Sequence, residues 1–510
     1  MSPGRSSARV IIAALAAGEF LVALDINVLT VALPSIQRTF NAGILGLQWA
    51  VIAYMIAGAA LAVPFGALGD RLGRRRLYIV GMVIFAVGSA VSACAPHISI
   101  LIAGRAVQGV GSAAMGTLAL AMLVTNAAPG GIPRLVGLWT AVATGAAAIG
   151  PIVGGGLVEV AGWRWVFLIN VLLLVVLIPI VIKEVPQDSV PAAAGDRVGF
   201  LAPALLTVAI MLMAGGATML ERQPWSSPWV WGSVAAGLLA IAIVVIQQRR
   251  TDRPFTDWGA LRHRPVPATL VVMVVLGMTL AGSLLPISML AQNVLGLTPI
   301  IMGLSSFCAS VALMTCSPLA ARVLLRLGLG PTIGLGLLIT AAGLIGLSQI
   351  SLASGPLFLS AWFAVLGVGL GLGMTSASSG ALSSVPRSSV GAVSGFLNLV
   401  GSVAAVLGIA LLGAISAIIV SIQWAELGTS VSDWQTLTDE VVSGAIPQIR
   451  DLAGAQAAAL AGQSYLAGVR GALMIAGVTM AVMAFVVAPM LGLRGRTSAA
   501  AETAAAEAAA

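Results

Sequence analysis

The sequence predicts an all-α membrane protein of fourteen spans, and three observations predict it. Hydrophobic residues fill 59% of its 510 positions and charged residues only 8%. Mean hydropathy is +1.06. The apolar residues fall in runs of about 20, long enough for a helix rising 1.5 Å per residue to cross a hydrocarbon core of about 30 Å. No soluble core absorbs that much apolar sequence.

Taken in order, the runs are 10–33, 47–69, 77–95, 99–122, 135–158, 164–183, 199–219, 229–247, 266–290, 300–322, 331–350, 356–377, 391–419 and 467–492. The first, though preceded by Arg5 and Arg9, is too long for a cleaved leader and reads as a retained span. An even count puts both termini on one side. Most of the 25 basic residues fall in the loops and tails of that side, including Arg71, Arg74, Arg75, Arg76, Arg134, Arg249, Arg250 and Arg326. This positive-inside bias predicts cytoplasmic termini. The segment at about 420–466 reads as a long external loop, because it holds Glu426, Asp433, Asp439, Glu440 and Asp451. The Ala-rich end after Thr497 has nothing to bury.

A weak internal repeat links the loop after the second run, which contains Asp70, Arg71, Gly73 and Arg74, to the loop after the tenth, which contains Arg322, Arg326 and Gly328. Pairing these loops predicts an N-terminal six-helix bundle over 1–190 and two inserted helices over 191–255. A C-terminal six-helix bundle over 256–496 and a tail over 497–510 complete the chain.

Composition excludes several functions. The net charge of +8 follows loop topology and forms no basic face, which argues against nucleic acid. His97 and His263 stand apart in loops, so no metal cluster is visible. Cys94, Cys308 and Cys316 form no CxxC pair. The only lysine, Lys183, cannot complete a P-loop. With no histidine inside a run there is no hydrolase triad, and only the first and fourth runs offer the polar lining a channel needs.

Polar residues inside apolar runs mark candidate chemistry. Glu19 and Asp25 are the only carboxylates well inside a run. A charge at mid-bilayer costs roughly 2.5–3.5 kcal/mol on insertion scales and usually relays ions. Desolvation favours the neutral carboxyl and a nearby cation the charged one, so a group balanced between them exchanges protons near neutral pH. Asp25 is the deeper of the two. Arg105, the one cation well inside a run, shares a helical stripe with Gln108 and Ser112, and Asp25 is its economical partner. The fifth run holds Gly145, Gly150, Pro151, Gly154, Gly155 and Gly156, a composition that kinks a helix and lets another approach closely. Asp70, among the arginines of its loop, is suited to a pair that holds one conformation and breaks in another.

These motifs resemble the major facilitator superfamily. Residues 66–76 fit its signature loop, G-x-L-x-D-R-x-G-R-R-R, at every defined position. The Arg105, Gln108, Gly109, Gly111 series resembles its fourth-span motif. Gly145 through Gly155 resembles the antiporter motif G-x-x-x-x-G-P-x-x-G-G. Leu24 through Pro34, with Asp25 and Asn27, looks like the first-span motif of the fourteen-span drug:proton antiporters, and Ser394, Gly395, Asn398 and Gly401 look like their thirteenth-span pattern.

The resemblance implies the major facilitator fold, with proton coupling by Asp25 and Arg105; Glu19, a carboxylate inside the same run, is a further candidate for that role. The resemblance also implies a substrate cavity reached by Asn27, Gln108, Ser112 and Asn398, and conformational switching by Gly66, Asp70, Arg71, Gly73, Arg74 and Arg75. The first span departs from the usual Thr-Val-Val-Asn run around Asn27. The expected activity is proton-coupled efflux of lipophilic drugs or antibiotics across the cytoplasmic membrane by alternating access. Small amphipathic substrates, protons and membrane lipids are the expected partners of a monomer, and neither a cofactor nor a metal is expected. Dedicated export of an endogenous metabolite or lipid is the alternative, and a non-transporting membrane sensor a more distant one.

Overall fold

The computed structural model describes residues 5–125, 132–186, 227–250, 266–384, 390–431 and 434–492, with scattered positions between 205 and 219. Thirteen helices among them are long and apolar enough to cross a membrane. They are α1 (Arg5–Phe40), α2 (Ile44–Leu72), α3 (Arg74–Ala93), α4 (Ile98–Thr125), α5 (Ile132–Ala161), α6 (Trp165–Glu184) and α7 (Pro228–Arg250). The second series is α8 (Val266–Met289), α9 (Pro299–Leu327), α10 (Leu329–Leu347), α11 (Pro356–Ser383), α12 (Val390–Leu427) and α13 (Ile446–Gly492). The run expected at 199–219 lies mostly outside the described residues, as does the tail after 492.

The two series of helices pack in like order. In the first half α3 packs on α4, α2 on α4, α1 on α5 and α3 on α6; in the second α10 packs on α11, α9 on α11, α8 on α12 and α10 on α13. The two matched loops share a backbone device. Gly73, at φ 95°, ends α2 and starts α3, and Gly328, at φ 85°, does the same between α9 and α10. A side chain at that φ is strained, so glycine sets both corners. At the opposite ends, Arg164 donates to Ala95 O and Arg470 to Ser348 O, so each half caps its third helix with an arginine. Helix α7 stands at the edge, with Val230 against Ala414 of α12.

Small residues set the helix spacing. A Cβ on Gly88 would lie 2.8 Å from Gly104 O, and one on Gly104 would lie 3.0 Å from Gly88 O, so α3 and α4 touch backbone to backbone. A Cβ on Gly109 would lie 2.8 Å from the Ala57 methyl, which seats α4 as closely on α2.

The region expected to be one loop at 420–466 is shorter as a loop. Helix α12 continues to Leu427, a short helix covers Thr438–Val442, and α13 begins at Ile446 with a break at Gly454. Trp424 explains the extension: it is fully buried and donates its indole N–H to Trp434 O at 3.0 Å. Glu426, Asp439 and Asp451 remain exposed, as their charge requires.

Hydrogen bonds between the halves gather toward this same face, where α1 ends at Phe40. Pro34 has no N–H for the Thr30 carbonyl, which instead accepts from Ser288 Oγ at 3.1 Å. After α8 the chain forms a π-turn, Leu290–Val294, that presents two amides to α1. Gln292 donates to Val31 O at 3.0 Å, and Asn293 donates to Gln37 Oε1 at 2.8 Å and Gly444 O at 2.9 Å. Gln37 in turn donates to Ser443 O at 2.6 Å.

Gly88→Val should push α3 off α4 at a cost of about 1–3 kcal/mol. The expected reading is a Tm several degrees lower in a detergent melt, with Gly156→Ala, which meets nothing within 4 Å, unchanged as control.

Candidate functional site

Asp25 lies mid-way along α1, facing α4 and α6. It is 1% exposed, as is Arg105, and the two form a buried salt bridge through Asp25 Oδ2 and Arg105 Nη1. A buried ion pair persists only when further hydrogen bonds satisfy its remaining donors and acceptors, and here they do. Asp25 Oδ1 accepts from Asn170 Nδ2 at 2.6 Å and from Gln108 Nε2 at 3.2 Å. Arg105 Nε donates to Ala50 O at 3.1 Å, and Nη1 also donates to Gln108 Oε1 at 3.1 Å. The guanidinium stacks 4.2 Å from the centroid of Tyr54 and 5.9 Å from that of Phe167. Behind Gln108, α3 supplies Ser89 Oγ at 2.7 Å and Ser92 Oγ at 3.4 Å.

Each contributor arrives by helix geometry. Arg105 and Gln108 are three apart on α4, as Phe167 and Asn170 are on α6, so each pair shares a face. The glycine contacts of α4 with α2 and α3 bring Tyr54, Ser89 and Ser92 within reach.

The structure sorts the residues expected at the site. Asp25, Arg105 and Gln108 come together as one cluster. Gln108 is wholly buried against the ion pair, where a buried carboxylate needs the amide it offers. Ser112 is also buried and bonds its own helix at Gly109 O, 2.9 Å away. Asn27 folds its amide onto Ala23 O at 2.8 Å. Glu19 is only half-buried, six positions earlier on α1, and also faces α4, with its Oε2 3.7 Å from where a Cβ on Gly116 would sit. The side chain of Asn398 lies outside the described residues.

The signature loop and the antiporter motif sit apart from this cluster. The side chains of Asp70 and Arg71 lie outside the described residues. Arg75 donates to Ile182 O at the end of α6, Arg74 covers Gly69, and a Cβ on Gly66 would lie 3.3 Å from the Thr117 methyl. On α5, Gly150 and Gly154 face α1: added Cβ atoms would lie 2.6 Å from Asn27 Cβ and 2.9 Å from Val28 O. Gly155 faces the other half, where its Cβ would lie 2.6 Å from Ile300 Cα of α9. Pro151 is buried on that seam against Gly303 of α9, whereas Gly145 meets nothing within 4 Å. Glu159 Oε2 accepts from Ile300 N at 3.3 Å, a carboxylate at a helix N-terminus.

Sequence reasoning missed Asn170 and Tyr54. The usable signal for Asn170 was a lone amide in the otherwise apolar stretch of α6, which must find a partner once buried. Tyr54 carried no such signal.

Two helical halves that pack alike and meet along glycine seams, with a buried carboxylate–guanidinium pair inside the first, have the build of a multi-pass membrane transporter rather than an enzyme. The model of the Major Facilitator Superfamily matches residues 15–409, and the chain belongs to that superfamily. It is similar to a tetracenomycin C resistance and export protein of Streptomyces glaucescens, at 30% identity over 93% of this chain and 90% of that one. It is also similar to the drug efflux pump JefA of Mycobacterium tuberculosis, at 32% identity over 85% and 83%. Among solved structures, an inward-facing, occupied bacterial homolog of the human lysosomal transporter Spinster superposes with TM-score 0.65. It shares 17% identity and aligns over 96% of this chain and 98% of that one.

Arg105→Leu should strand the Asp25 charge and destabilise the protein by about 3–5 kcal/mol. Asp25→Asn combined with Arg105→Leu should recover most of that loss, and thermal melts of both variants and of Asp25→Asn alone against wild type read the cycle.

Proposed function

We propose that this chain is a proton-coupled exporter of lipophilic drugs or antibiotics, working by alternating access across the cytoplasmic membrane. The observation that carries the reading is the sealed cluster of Asp25, Arg105, Gln108 and Asn170 inside one half of a two-half transporter fold. A carboxylate there has no packing value that an apolar residue would not exceed, which favours a role in proton exchange. The resistance and efflux functions named for its relatives support the cargo class.

The positive loops favour an orientation with the Arg74 end of α3 in the cytoplasm and the Phe40 end of α1 outside. In this arrangement the outer face is held shut by Gln37, Gln292, Asn293 and the 443–444 turn. Charged Asp25 accompanies loading from the cytoplasm or inner leaflet. Protonation from the outside dissolves its attraction to Arg105 and accompanies release. The glycines of α5 form the seam on which the halves rock, and the signature loop tunes the inner face. Each proton moving down 100 mV supplies about 2.3 kcal/mol, and each pH unit about 1.4 kcal/mol. No cofactor enters the cycle, and the working unit is a monomer. A second reading, export of an antibiotic or lipid made by the same cell, is favoured by the export function named for the Streptomyces relative.

Two outcomes are expected. In inverted vesicles given a proton gradient and a panel of lipophilic cations and neutral antibiotics, Asp25→Asn should reduce uptake to the level of vesicles lacking the protein; uptake at the wild-type rate would refute coupling at Asp25. With Cys94, Cys308 and Cys316 replaced, a reducible linker joining Gln37→Cys to Ser443→Cys should stop transport, and reduction should restore it. Full transport with the linker in place would refute movement across this face.

A further inference from the structure

Two amides touch Asp25 Oδ1, and only one of them is free to turn. Gln108 is committed at both ends. Its Oε1 accepts from Arg105 Nη1 at 3.1 Å and Ser92 Oγ at 3.4 Å, while its Nε2 donates to Asp25 and to Ser89 Oγ at 2.7 Å. Turning it over would aim an NH2 at the guanidinium, donor against donor. Asn170 makes a single side-chain bond among the described residues, Nδ2 to Asp25 Oδ1 at 2.6 Å. It is 1% exposed, and the torsion that turns its amide is broad and roughly two-fold.

A sealed carboxyl that changes charge has a hydrogen-bonding problem. The carboxylate only accepts. The carboxylic acid carries an O–H that needs an acceptor, and a buried donor without one is costly. The groups touching Oδ1 are Gln108 and Asn170, and Gln108 is fixed as a donor. The ionisable and charged side chains around Asp25 are Arg105 of α4 and Tyr54 of α2, with Glu19 further along α1 and Tyr78 of α3 beside it. At this depth the described side chains of α5 and α6 add no ionisable group.

We propose that Asn170 is the positioning residue that carries Asp25 through its change of charge, donating to the carboxylate and, with its amide turned over, accepting from the carboxylic acid. The inference rests on the proton-coupling role proposed for Asp25 and deepens it. A proton from water adds to Oδ1, and the new O–H donates to Asn170 Oδ1. Arg105, released from a full charge, keeps Ala50 O, Gln108 Oε1 and the face of Tyr54. The site therefore stays assembled in both states, and only one side chain has to move.

The test needs no substrate. Acid-minus-neutral infrared difference spectra are recorded on the full chain in lipid, with asparagine labelled by 13C. The wild type should show a carboxylic C=O band that Asp25→Asn lacks, together with an asparagine amide shift that Asn170→Leu lacks. In Asn170→Leu the carboxylic band should move to higher wavenumber, since its O–H has lost an acceptor. Asn170→Ser, whose hydroxyl both donates and accepts, should return the band close to its wild-type position and serves if the leucine variant does not fold. A carboxylic band unmoved in Asn170→Leu, or moved equally in Asn170→Ser, overturns the role of Asn170 and leaves proton exchange at Asp25 standing. A spectrum with no Asp25-dependent band overturns proton exchange itself, and this inference with it.

Discussion

The ion pair of Asp25 and Arg105 is the constraint on which the first half of the molecule depends. Two opposite charges out of water survive only if their attraction and their remaining hydrogen bonds offset the desolvation of both. That requirement fixes four helices at once. Helix α1 brings the carboxylate, α4 the guanidinium and one amide, α6 the second amide, and α2 a backbone carbonyl and an aromatic face. Shifting any of them by a fraction of a turn would leave a charge or a donor unpaired.

Close packing is what makes such precision attainable. Lipid is as apolar as leucine, so helices in a membrane gain little from burying apolar surface against each other. They gain from approach, and the glycine pairs of α3 with α4, and of α8 with α12, bring backbones into contact. A Cβ on Gly282 would lie 2.7 Å from Gly408 C. The same device recurs on α5. Gly150 and Gly154 hold it to α1 within the first half, while Gly155 lies on the seam with α9 of the second. Seams without interlocking side chains can separate and reform without repacking a core.

Closure at the Phe40 end of α1 uses a different physics. Polar contacts there are few, directional and built on backbone groups that proline and the π-turn have released from ordinary helix bonding. Thr30 O is available because Pro34 follows it, and Gln292 and Asn293 face α1 because the π-turn rotates them there. Bonds of this kind hold a closed face at modest cost and give it a defined geometry.

Hydropathy is a one-dimensional property, and what depends on it was legible in the sequence. The apolar runs match thirteen described helices to within a few residues at most ends. The long internal helix extensions after 419 were missed because Trp424 is buried by a partner ten residues away, beyond the run itself. Asp25 and Arg105 stood out because ionised groups are conspicuous in apolar sequence. Their pairing followed from the shortage of alternatives. Asn170, Tyr54, Gln37 and Asn293 did not stand out, since an amide or a phenol inside a span is ambiguous until its partner is known. Asn170 meets Asp25 across 145 residues, and Asn293 meets Gln37 across 256. The sequence by itself determined the class of fold and singled out the two ions buried in its first half, because those follow from local composition. Which amides complete the site, and which residues join the two halves near Phe40, was decided only by the tertiary structure, because hydrogen bonds between helices depend on rotation and depth that hydropathy does not encode.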